Sequence, residues 1–244
     1  MVTEAVECEQ AEVKTETVLP KPPEISWKRR RALELLLVMS VAFAPLLFSS
    51  TVAYFLHHEN RFSRLGAASL ILHESIALGV LAYVLSQQRR TLQEVGLQFR
   101  VSDFGIGLLL MVGALVAASL SQAAVYLWNQ VTGVEVAAAA NPVIVGGLGL
   151  VGLVFVALNP VFEELLVRGY FTTELAVLTR SRWIPTVASV LLQGSYHLYQ
   201  GIPNALAVTA CFLVLALYFN RTRRLGPVII AHFYADAYAL LRST

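Results

Sequence analysis

Glu163-Glu164-Leu165-Leu166-Val167-Arg168 decides how this chain is read. The run before it, Val143 to Ala157, carries no charge, and Gly169-Tyr170-Phe171 after it is apolar. A charged side chain at the centre of a bilayer costs about 2.5–3.5 kcal/mol on insertion scales. A chain that places two carboxylates and a guanidinium there has to pair them or use them. The motif is therefore a candidate functional site inside a membrane helix.

The rest of the chain suits that setting. It is 57% hydrophobic and 14% charged, with a mean hydropathy of +0.64, whereas soluble domains carry roughly 25% charge. A spanning helix needs about 20 mainly apolar residues. Seven segments qualify, roughly 33–56, 65–86, 104–129, 147–177, 184–199, 204–220 and 226–241. The fifth and seventh are short and read as broken or partly submerged. The expected fold is all-α, a polytopic bundle of about seven transmembrane helices with a catalytic helical core. Three parts follow: a tail over 1–26, N-terminal spans with a cytoplasmic interfacial segment over 27–142, and the core over 143–241.

The tail holds six Glu against Lys14 and Lys21, with Pro20, Pro22 and Pro23. Such a composition cannot bury a core and is expected to be disordered. It lacks the apolar stretch of a signal peptide. Cys8 and Cys211 form no CxxC pattern, so neither a disulfide framework nor a thiolate metal site is indicated. Cys211 reads as a small packing residue.

Basic residues cluster in alternate loops: Lys28 to Arg31 before the first span, Arg89, Arg90 and Arg100 after the second, Arg180 and Arg182 after the fourth, Arg221, Arg223 and Arg224 after the sixth. The positive-inside rule then puts the N-terminus in the cytoplasm and the C-terminus outside, with the cell's inner membrane as the expected location. These arginines are orientation signals and not a nucleic-acid site. No phosphate-binding or dinucleotide-binding glycine pattern occurs. Thr91 to Arg100 is amphipathic and reads as an interfacial helix or turn.

Helical spacing sorts the polar residues. Glu164 and Arg168 are four apart and can pair. Glu163 lies about 100° around from Glu164 and faces elsewhere. A lone carboxylate in a low-dielectric layer suits a general base. Asn159-Pro160 before it kinks the span. Ser189, Gln193 and His197 recur every four residues as a polar stripe on the fifth span. His232 and Asp236 are four apart on the seventh. Counted from the basic loops, Glu163, His197 and Asp236 share a mid-membrane layer and His232 is shallower.

The ordered set Glu-Glu-x-x-x-Arg, a histidine in the next span, and His-x-x-x-Asp in a late span resembles the CAAX-processing and bacteriocin-processing membrane proteases, the Abi or type II CAAX endopeptidase-like family. The resemblance covers roughly residues 143–241. Glu94-Val95-Gly96-Leu97 is similar to a further family habit. The resemblance implies intramembrane proteolysis by glutamate-activated water. Glu163 would be the base and His197 would hold the water. His232 and Asp236 would polarise the scissile carbonyl or steady the oxyanion, while Glu164 and Arg168 shape the site. Two positions depart from the family pattern: Gln193 stands where Phe is usual, and Asp236 where Asn is usual. An ionised Asp would repel an oxyanion.

The reading this supports is a cofactor-free intramembrane glutamic endopeptidase. Its partners would be the lipid bilayer and a membrane-associated protein or peptide substrate. Two alternatives stand beside it. A zinc hydrolase could use the same carboxylate and imidazole groups, although His-Glu-x-x-His is absent. A non-catalytic scaffold or transporter could use the polar layer for binding or proton passage.

Overall fold

The computed structural model describes residues 27–56, 61–136, 143–144 and 149–243. The acidic tail and the linker before the core therefore lie outside the described residues. Within them the chain forms seven helical rods. α1 is Trp27–Phe55, α2 Arg64–Gln87 and α3 Ser102–Thr132. The fourth rod is composite: α4, Gly149–Glu163, runs through a π-helical segment, Glu164–Phe171, into α5, Thr172–Thr179. α6 is Trp183–Tyr196, α7 Ile202–Thr222 and α8 Gly226–Ser243. Two short segments, β1 (Arg61–Phe62) and β2 (Val143–Ile144), pair in parallel between the rods.

Five rods are long and apolar enough to cross a membrane: α1, α2, α3, the 31-residue composite rod and α7. The protein is thus an all-α polytopic membrane protein. α6 and α8 are the exceptions among the expected spans, the two that read as short in the sequence. The 14 residues of α6 reach about 21 Å at 1.5 Å per residue, short of a bilayer core of about 30 Å. It ends at Tyr196 and turns through the 3₁₀ segment Leu198–Gln200 into α7. α8 is also short, with its apolar stretch over Gly226–Leu241.

Apolar burial separates the bundle into an inside and a rim. α3 packs along α7 and α8, and α2 packs along α4. The outer face of α3 leaves Leu108, Leu109, Val112, Val116 and Leu120 exposed. Apolar surface on this scale is what a helix shows to lipid and not to water. Inside, Phe43, Phe162 and Tyr196 stack, with ring centroids 5.5 Å (Phe43–Phe162) and 5.3 Å (Phe43–Tyr196) apart. That stack sits directly beside Glu163 in sequence and braces α4 against α1 and α6.

The four basic clusters come together at one edge of the bundle. Arg31 and Arg90 both reach the buried Glu174 carboxylate, and Arg224 reaches buried Asp103. Thr91 and Glu94 form a capping box around the 3₁₀ turn Leu92–Val95. The Thr91 backbone N–H is the main reason the Glu94 carboxyl titrates below its ordinary value. The turn is more than an interfacial segment, because Val95 is buried and the Gly96 carbonyl accepts a hydrogen bond from Leu225 N at 2.9 Å. Gly96 has φ +95°, and a Cβ there would lie 2.7 Å from the Arg223 carbonyl oxygen. Only glycine fits both the conformation and the close approach.

Candidate active site

The site begins with a change of helix type. At Glu164 the composite rod switches from α to π hydrogen bonding, and it returns to α at Thr172. Single-turn π segments are rare and recur at functional sites. Here the segment carries Glu164 and Arg168, and Glu163 is its N-cap. The Thr172 hydroxyl donates back to the Arg168 carbonyl, which satisfies one backbone group that the widened turn leaves without its usual partner. All seven residues from Glu164 to Tyr170 are buried.

Glu163 and Glu164 do not face separate environments, as simple helical geometry suggested. One donor serves both. The Gln193 side-chain amide donates to Glu163 Oε2 at 3.3 Å and to Glu164 Oε1 at 3.4 Å. The Tyr196 hydroxyl donates to the same Glu163 oxygen at 2.6 Å. Glu163 Oε1 accepts no hydrogen bond among the described residues. α6 can deliver Gln193 this close because Gly194 lets it press on α7: a Cβ on Gly194 would fall 2.3 Å from Thr209 Oγ1.

Glu164 is the junction of the network. Its Oε1 lies 3.0 Å from His232 Nδ1, and its Oε2 lies 3.7 Å from Arg168 Nε. The expected Glu164–Arg168 pair is present, but at ion-pair distance and without a hydrogen bond. Arg168 is anchored elsewhere. Its Nη2 donates to the Phe212 carbonyl at 3.0 Å, and the guanidinium lies over the Phe212 ring at 5.2 Å.

His232 joins the other groups. Its Nδ1 meets Glu164, and its Nε2 lies 3.6 Å from Asp236 Oδ1. The ring therefore stands between two carboxylates from different rods. Asp236 also accepts from the Asn159 amide at 3.3 Å.

His197 stands differently from the stripe read in the sequence. Ser189 and Gln193 are buried on α6, but His197 is the residue at which α6 ends. Its Nδ1 lies 2.8 Å from the Gln193 carbonyl. A carbonyl only accepts, so Nδ1 carries the proton and Nε2 of the neutral ring keeps its lone pair. His197 packs against Phe212 at 5.6 Å between centroids, and the opposite face of the cluster brings His232 to the same ring at 5.2 Å. Asp236 lies within electrostatic reach of Glu163, His232 and His197.

Four residues near this cluster were missed in the sequence: Asn159, Tyr196, Phe212 and Glu74. Tyr196 and Phe212 carry no periodic signal that separates them from ordinary core aromatics. Glu74 was the one legible signal, a lone carboxylate in the second span. It is 2% exposed, and its Oε2 has no hydrogen-bond partner. It faces the charges of Glu163, Asp236 and His232. Among the described residues, no group of three or more His, Cys, Asp or Glu side chains is arranged to hold a metal ion.

The fold and this cluster define a polytopic membrane protein with a buried carboxylate–imidazole centre. Residues 145–238, spanning the composite rod to α8, match the family described as Rce1-like, type II CAAX prenyl endopeptidase Rce1-like. The chain thus carries an Rce1-like domain of the CAAX-type intramembrane protease kind, in agreement with the resemblance drawn from its motifs. No curated protein and no solved structure matches the chain.

Proposed function

We propose that this protein is a glutamic intramembrane endopeptidase that cleaves a membrane-associated protein or peptide. The observation that carries the reading is the state of Glu163. It is buried in the domain that matches the protease family, it is held on one oxygen by two neutral donors, and its other oxygen accepts no hydrogen bond among the described residues. A general base needs a fixed carboxylate with a free lone pair aimed into the site.

In this reading Glu163 Oε1 takes a proton from a water molecule, and the water oxygen attacks the scissile carbonyl carbon. His197 Nε2 holds the second water hydrogen. The carbonyl oxygen becomes an oxyanion and is met by the Nε2–H of His232 as an imidazolium, whose Nδ1–H is held by Glu164. The proton on Glu163 then passes to the leaving amide nitrogen as the C–N bond breaks. Asp236 acts through His232 as a positioning residue. Its two oxygens are turned toward Asn159 and His232. Gln193 fixes both glutamates, a task that the Phe usual in the family at that position cannot perform.

The orientation that goes with this reading has the basic edge, and so the N-terminus, in the cytoplasm of a cell with the protein in its inner membrane. Membrane lipid and a membrane-anchored substrate are the partners, with no cofactor. The test is cleavage of a panel of membrane-anchored peptides by purified protein, with zinc content measured on the same sample. Cleavage that survives chelation at far less than one zinc per chain supports the reading. Stoichiometric zinc with chelator-sensitive, zinc-restored cleavage overturns it.

A further inference from the structure

A second polar feature lies at the basic edge and meets the cluster just described at Arg168. α5, α6 and α7 line a narrow crevice there, open on one side. Arg182 and Arg223 stand on its walls, and Arg168 closes its floor.

The charges in it are unbalanced. Among the described residues neither Arg182 nor Arg223 has a carboxylate partner. Burial first, and then the nearby Arg182 charge, lower the pKa of the Arg223 guanidinium. Arg168 is fully buried, and its Nε and Nη1 make no hydrogen bond. Its nearest carboxylate, Glu164, is already engaged by His232. The hydroxyls on the walls are spent on helix carbonyls: Thr172 on Arg168, Thr186 on Arg182 and Ser189 on Thr186. The crevice therefore offers cationic donors and few neutral ones, which selects an oxyanion over a sugar or an amide.

We propose that this crevice binds the phosphate group of an anionic phospholipid. Position argues for lipid as the source. The crevice lies between the start of α6 and the end of α7, at the edge where the basic residues gather. Trp183 and Ile184, next to Arg182, are both exposed, and an exposed Trp beside an Arg marks the level of the headgroups. Basic pockets between membrane helices are a general solution for anionic headgroups. The crevice shares Arg168 with the buried cluster, but Arg182 and Arg223 do not belong to that cluster, so binding there is tested without peptide cleavage.

The experiment uses the full chain in nanodiscs, without substrate. Phosphatidylcholine discs are compared with discs that also contain phosphatidylglycerol. The parent is expected to melt roughly 2–4 °C higher with phosphatidylglycerol. The double variant Arg182→Gln/Arg223→Gln is expected to melt like the parent in phosphatidylcholine and to lose that rise. A control, Arg180→Gln/Arg221→Gln, removes the same charge from the same edge and should keep it. Native mass spectrometry gives a second reading, since retained phosphatidylglycerol should disappear from the first variant only. No rise in the parent, an undiminished rise in Arg182→Gln/Arg223→Gln, or loss in both variants alike overturns the proposal. So does an equal rise in phosphatidylcholine discs on adding inorganic phosphate, which would make this a free-anion site.

Discussion

Glu163 and Glu174 are both buried carboxylates on the same composite rod, about three turns apart, and their surroundings differ in kind. Glu174 is gripped by two guanidiniums, Arg31 from the start of α1 and Arg90 from the end of α2. Glu163 is held by a phenol and an amide, with no cationic partner among the described residues. Around Glu174 the charges are matched, and three separate parts of the chain are tied together. Around Glu163 stand three further acids, Glu74, Glu164 and Asp236; Glu74 Oε2, Glu164 Oε2 and Gln193 Oε1 are buried without hydrogen bonds, as is Glu174 Oε2, although that oxygen has the Arg31 guanidinium at 3.3 Å. A matched ion pair serves stability and has no lone pair to give. A carboxylate held only by neutral donors can react, and its unsatisfied neighbours are costly to bury. One rod thus carries a clasp at its edge and a reactive layer at its centre.

The comparison breaks most clearly at Glu163. Glu163→Gln keeps the shape and loses the proton acceptor, so peptide cleavage should fall by roughly 10²–10⁴-fold while the melting temperature in detergent stays close to parental. Near-parental cleavage by a folded Glu163→Gln protein would falsify its role as the base.

Glu174→Ala should show the reverse pattern. It takes the buried counter-charge from Arg31 and from the mostly buried Arg90, which keeps only the exposed Glu94 at 3.6 Å, at a cost of up to roughly 3–5 kcal/mol. Thermal melting should drop by several degrees or more, with cleavage per folded molecule unchanged. If Glu164→Ala gives an equal drop in melting, the centre is as much a structural device as the edge, and the contrast between the two layers weakens.

A smaller effect is expected at Tyr196. Tyr196→Phe deletes the short hydrogen bond to Glu163 and little else. Hydrogen bonds to charged groups are worth about 1.5–3 kcal/mol, so kcat should fall roughly tenfold or somewhat more with melting nearly unchanged. A fall in melting with kcat preserved would assign the hydroxyl to packing.

Asp236→Asn should matter least. Asn keeps an oxygen for one neighbour and is the residue usual in the family at this position. A change of about 1 kcal/mol or less, within roughly fivefold in kcat/KM, is expected from steady-state cleavage. A loss as large as that of Glu163→Gln would mean that the Asp236 carboxylate itself meets the reacting atoms.

Much of this architecture was legible in the order of residues. Long apolar runs have only one way to satisfy their backbone in lipid, which is to become helices, so the polytopic all-α fold follows from composition. Charges inside those runs are too costly to be incidental, so Glu163, Glu164, Arg168, His232 and Asp236 stood out before any geometry. The gathering of the basic clusters at one edge was implied by their alternation along the chain. What spacing could not supply was which donor meets which acceptor. Ideal helical angles separated Glu163 from Glu164, yet Gln193 reaches both. The periodic stripe on α6 was extended to His197, yet the helix stops one residue earlier. Asn159 was read as part of a kink and turns out to face Asp236.

The sequence alone determined that the chain spans a membrane, that it carries acids and imidazoles where lipid would forbid idle ones, and that their order is that of an Rce1-like domain. Those statements depend on transfer energies and on local spacing, which are properties of residues. Only the tertiary structure decided that the rod widens into a π segment at Glu164, that α6 ends at Tyr196, that Glu74 arrives from α2, and that one Glu163 oxygen accepts no hydrogen bond among the described residues. Each of these depends on how closely separate helices approach. That approach is set by side chains far apart in the chain, such as Gly194 against Thr209 and Gly96 against Arg223, whose pairing no local pattern encodes.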